Sequence, residues 1–154
     1  MPDITESTQL FLLALLPAIA WVVVYRYLDS REPEPMPPSI EALFLGSFST
    51  IPVFLLQYLF NYYPDFNLLA ILQQILTNTT LFSVAFLLFV AVIEETVKAG
   101  AFLTLIRKRE KNFNQIVDGI VYGAFIGLGF AIAENTYYFW KAVEVFEYSK
   151  SFWA

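Results

Sequence analysis

The stretch Ile116–Trp140 reads IVDGIVYGAFIGLGFAIAENTYYFW, with charges only at Asp118 and Glu134. A membrane-crossing helix needs about 20 mainly apolar residues at ~1.5 Å rise each, and this stretch meets that length. Gly119, Gly123 and Gly127 recur every fourth residue, the small-xxx-small spacing that lets membrane helices approach closely. On a helical wheel Ala131 and Glu134 continue that stripe, so a smooth face leads to a carboxylate.

Working outward, the rest of the chain repeats the pattern. No charge falls in the 19 residues between Glu6 and Arg26, the 23 between Glu41 and Asp65, or the 28 between Asp65 and Glu94. The charge map predicts an all-α polytopic membrane protein forming one transmembrane helical domain over residues 1–154. Its four transmembrane helices cover about 9–28, 42–62, 81–106 and 116–140. The segment 31–38, REPEPMPP, is too proline-rich for a helix and reads as a stiff interfacial loop. After the turn at 61–67, Leu68, Leu69, Ile71, Leu72, Ile75 and Leu76 oppose Gln73, Gln74 and Asn78. That periodicity fits an interfacial amphipathic helix capped by Asp65, or an extension of the third span.

Composition agrees. The 154 residues are 58% hydrophobic and only 15% charged, with a mean hydropathy of +0.59, too apolar for an ordinary soluble domain. A net charge of −5 gives no basic surface, so nucleic acid is not an expected partner. The lipid bilayer is. Arg107, Lys108, Arg109 and Lys111 cluster between the third and fourth spans, which places the 107–115 loop in the cytoplasm and the acidic N-terminus outside a multi-pass cell-membrane protein. Ala18-Ile-Ala20 has the form of a signal-peptidase site, but no positive charge precedes it, and an uncleaved anchor is the expectation.

The third span carries Glu94, Glu95 and Lys98. Each charge at a helix centre costs ~2.5–3.5 kcal/mol on insertion scales, so all three must face protein or water and find partners. Lys98 falls between the two glutamates on one helical face. One ammonium neutralises one of two carboxylates, leaving an acid and a base side by side; a structural ion pair is the simpler alternative. In an antiparallel pair of helices Glu134 reaches the depth of Glu94, so Glu94, Glu95, Lys98 and Glu134 can share one pocket. A carboxylate held there can take a proton from water and direct its oxygen at a peptide carbonyl. Asn135 is the nearest amide for the resulting oxyanion. With no His or Cys in the sequence, and few oxygen ligands for a hard cation, neither a metal nor any other cofactor is expected.

At these residues the sequence resembles a known family. Glu94-Glu-Thr-Val-Lys98 and the run from Asp118 to Asn135 look like the signature helices of PrsW-type intramembrane proteases, which belong with the CAAX-processing and bacteriocin-immunity superfamily. Tyr27-Leu-Asp-Ser-Arg-Glu-Pro-Glu-Pro35 is similar to the loop after that family's first span. The resemblance implies a prokaryotic membrane endopeptidase acting on membrane-anchored substrates such as anti-sigma factors. It makes Glu94 and Glu95 the catalytic pair, with Glu134 and Asn135 as a further site motif. Members of the family continue into helices bearing a histidine, which this sequence lacks. The alternative is therefore a truncated or non-catalytic relative, a scaffold that grips membrane proteins through its glycine stripe and buried charges. A proton or cation pathway built on the same acids is a third reading.

Overall fold

The computed structural model describes residues 4–28, 35–62, 79–113 and 115–153. Among them the secondary structure is helical: α1 (Ile4–Leu28), α2 (Met36–Phe48), α3 (Thr50–Tyr62), α4 (Thr79–Lys108), a 3-10 turn (Glu110–Asn112) and α5 (Ile116–Trp153). The expected amphipathic helix after Asp65 lies outside the described residues, as do residues 31–34 of the 31–38 loop.

Two expectations for the second span are corrected. The helix begins at Met36, so Pro37 and Pro38 are helical. They sit in its first turn, where the missing N–H groups would have had no intrahelical acceptor. The run then divides at Ser49 into α2 and α3. Pro52 cannot donate to the Phe48 carbonyl four residues back, and three hydroxyls satisfy the neighbouring backbone. Ser49 Oγ donates to the Gly46 carbonyl and Thr50 Oγ1 to that of Ser47, both at 2.7 Å, while Ser47 Oγ lies 3.1 Å from the Leu43 carbonyl oxygen.

α5 is the hub. α2 crosses it with backbones in contact, because Gly46 meets the Ile126 carbonyl and Gly129 meets that of Leu43. A Cβ at Gly46 would lie 2.7 Å from the Ile126 carbonyl carbon, and one at Gly129 would lie 2.8 Å from that of Leu43. Ser47 Oγ also reaches the Gly129 carbonyl oxygen at 3.0 Å, joining the helices at the crossing. Farther along, the Phe54 and Tyr137 rings meet at 4.6 Å between centroids, so α2 and α3 run parallel to α5. α4 runs antiparallel to it, with Lys98 over the Phe130 ring.

The tight packing lies toward the Arg107–Lys111 end. Ala42, Leu105, Val121, Tyr122, Phe125 and Ile126 form the buried cluster, with Val22 and Tyr25 of α1 against it. Phe113 closes that end, its ring 5.9 Å from Phe102 and 5.0 Å from Tyr122. Buried Asp118, in the first turn of α5, accepts the backbone N–H of Gln115 at 2.7 Å, which caps the helix start. Glu41 of α2 pairs with Lys108 and, at 2.9 Å, with Arg109 beyond the end of α4.

Away from this core, large apolar side chains point outward: Leu13, Leu16 and Val23 on α1, Phe44 and Phe48 on α2, Leu87, Leu88 and Val92 on α4. Such a surface needs an apolar solvent. Met36–Leu59 and Ile116–Glu144 are long and apolar enough to cross a membrane, with mean hydropathies of 1.7 and 1.9, and Leu15–Tyr27 is a shorter apolar stretch.

Candidate active site

The antiparallel course of α4 and α5 carries the charged residues of both helices to one level. Glu134 lies within electrostatic reach of Glu94, Lys98 and Tyr138, the last of these one turn along α5. Lys98 Nζ donates to Glu95 Oε1 at 2.6 Å and lies 4.5 Å from the centroid of the Phe130 ring. That cation–π contact gives the ammonium a face to rest on in an apolar setting. Lys98 is thus held from two helices.

The adjacent glutamates open into different spaces. Glu94 lines a cleft of about 380 Å³ between α3, α4 and α5, whose other walls include Val53, Phe54, Phe86, Val90 and Ile93. Only Gln57, Glu94 and Tyr138 bring polar groups to it. Glu95 and Lys98 line a second cleft of about 400 Å³ on the other side of α4, walled by Ala99, Phe102, Gly123, Ile126 and Gly127. The Glu95 side chain is 73% exposed, against 22% for Lys98. Asn135 is exposed on α5 and lines neither cleft.

The glycine stripe therefore makes space here instead of closing it. Nothing lies within 4 Å of a Cβ added at Gly127, and only the Phe102 ring comes near one at Gly119 or Gly123. The close helix approach uses Gly46 and Gly129, which sequence reasoning missed. Tyr138 and Gln57 were missed as well. Tyr138 had one signal, its spacing four residues after Glu134; Gln57 had another, as the one amide in the apolar run Ile51–Phe60.

Residues 34–150 match the family described as PrsW family intramembrane metalloprotease. The chain belongs to the PrsW family. It is 32% identical over 133 residues to a protein named Protease PrsW from Clostridioides difficile (strain 630), an alignment covering 84% of this chain and 50% of that protein. It is 32% identical over 124 residues to a Protease PrsW from Oceanobacillus iheyensis, covering 80% of this chain and 51% of that one. The chain thus spans about half the length of the curated relatives it matches. No solved structure is significantly similar. PrsW is a family of membrane proteases, and the apolar helices fit membrane insertion.

The family description names a metalloprotease, and the described residues of this chain, which spans about half of its relatives' length, do not by themselves form a metal donor set. His and Cys are absent from the sequence. Among the described residues no group of three His, Cys, Asp or Glu side chains is placed to hold a metal ion.

Proposed function

We propose that this protein is an intramembrane endopeptidase in which Glu94 activates water against a peptide bond of a membrane-anchored substrate, of the anti-sigma-factor kind. The observation that supports this most is the position of Glu94. It stands in a mainly apolar cleft with Tyr138 and Gln57, and within electrostatic reach of Glu134. Apolar walls suit the side chains of a membrane-spanning segment, and convergent polar groups in such a cleft mark a reaction site.

In this reading the Glu94 carboxylate takes a proton from water as the oxygen adds to the carbonyl carbon, then returns it to the departing amide nitrogen. Glu134 sets the local charge. Lys98 balances the excess of carboxylates, and Glu95 fixes Lys98 from the second cleft. The four helical passes are α1, the broken α2–α3 pair, α4 and α5. The Arg107–Lys111 end is cytoplasmic and the N-terminus is outside, in the cell membrane.

The test is cleavage of a single-span reporter co-reconstituted with the full-length gene product in liposomes. Glu94→Gln should reduce turnover by at least about 10³-fold and Glu134→Gln by about 10²-fold, while helix content by circular dichroism stays unchanged. Unchanged turnover in both variants would sink the proposal. The open Gly123–Gly127 face favours a second reading, a scaffold that grips another membrane helix there. Gly127→Leu should then abolish partner capture while leaving α2 seated on α5.

A further inference from the structure

Hydrolysis of a peptide bond needs a hydrogen-bond donor for the carbonyl oxygen as well as a base for the water. Asn135 is turned out of both clefts, so the amide beside Glu94 has to come from elsewhere. We infer that Gln57, on α3, supplies it: its side-chain amide donates to the carbonyl oxygen of the scissile peptide bond in the α3–α4–α5 cleft. This rests on the proposed peptidase reading and adds a residue to it.

Three observations carry the inference. Gln57 lines the same cleft as Glu94 and Tyr138, and these three provide its polar groups. It borders that cleft from α3, whereas Glu94 borders it from α4. The two groups therefore border the cleft from different helices. Finally, Gln57 is the one amide in the apolar run Ile51–Phe60. A polar side chain in such a run is costly facing lipid and is kept where it faces a cavity or a partner. Tyr138, the other donor on the cleft, sits one turn from Glu134 and within its electrostatic reach.

The step balances as follows. Water adds to the carbonyl carbon, and its proton passes to Glu94. The new negative charge rests on the carbonyl oxygen, which accepts from the Gln57 amide. Collapse breaks the carbon–nitrogen bond, the proton moves from Glu94 to the leaving amine, and a new carboxyl terminus and a new amino terminus result.

The experiment measures kcat and KM for cleavage of a single-span reporter by the full-length gene product in liposomes, comparing wild type, Gln57→Met, Gln57→Ala and Glu94→Gln. Methionine keeps the length of the side chain and removes its donors, and the exposure of Gln57 leaves the helix packing little affected. The expected result is a fall of about 10²–10³-fold in kcat for both Gln57 variants, with KM held within about threefold. If Gln57→Met turns over at the wild-type rate while Glu94→Gln is dead, the amide role is overturned and the peptidase reading stands. A rise in KM alone also overturns it, making Gln57 a binding contact only. If the wild type itself leaves the reporter uncut, the peptidase reading fails, and the role of Gln57 with it; if Glu94→Gln remains active, Glu94 is not the base and the Gln57 amide role built on it is overturned. Gln57→Ala settles the matter if Gln57→Met does not fold.

Discussion

At Gly129 a single hydrogen in place of a side chain decides whether two helices can touch. The Leu43 carbonyl occupies the space a Cβ would need, and Gly46 meets the Ile126 carbonyl in the same way. Gly129→Leu should destabilise the fold by about 2–3 kcal/mol through overpacking, read as a lower unfolding midpoint in detergent. Gly127→Ala, which enters open space, should stay within about 0.5 kcal/mol of wild type. Equal effects at the two positions would show that α2 does not seat where described. In the sequence these glycines look alike. Gly127 belongs to a four-residue stripe and Gly129 falls about 200° farther round the helix, but nothing local says which face meets a neighbour. That depends on Gly46, far away in the chain. The charged residues were more legible, since the cost of Glu94, Lys98 and Glu134 in an apolar run forces them to find one another. The direction in which Glu95 and Asn135 point was not, because a wheel gives angles without saying what stands opposite.

The helices show the same division at a larger scale. Apolar length predicted the positions of α1, α4 and α5 to within a few residues at most ends, although α5 continues past the expected stop at Trp140 to Trp153. The division of the second span at Ser49 was readable in principle from Pro52. It was obscured because hydroxyls from Ser49 and Thr50 repair the backbone locally and no charge interrupts the run. Two contacts keep the resulting pair of helices in place. Ser47→Ala removes the hydroxyl at the Gly129 carbonyl and should cost about 1 kcal/mol, measured by unfolding in detergent. Glu41→Gln loosens the tie from α2 to Lys108 and Arg109. Its cost should be about 1 kcal/mol or less and should shrink with added salt; a salt-independent loss would assign Glu41 a packing role instead.

For the molecule as a whole, α2–α3 and α5 run together with α4 antiparallel between their outer halves, leaving clefts on either side of α4. Packing is dense at the Arg107–Lys111 end and open around Glu94, which suits the proposed peptidase site. The sequence has no Cys, so single cysteines can report orientation. A cysteine at Lys111 should be labelled by an impermeant reagent only after the cytoplasmic face is exposed; labelling from outside would invert the proposed topology. The central claim is that the two adjacent glutamates do different work, Glu94 in the cleft and Glu95 on Lys98. Its most direct test is reporter turnover by Glu94→Gln and Glu95→Gln side by side in liposomes. The account predicts a loss of at least about 10³-fold for Glu94→Gln and only about tenfold for Glu95→Gln. Equal losses, or a larger one for Glu95→Gln, would contradict it.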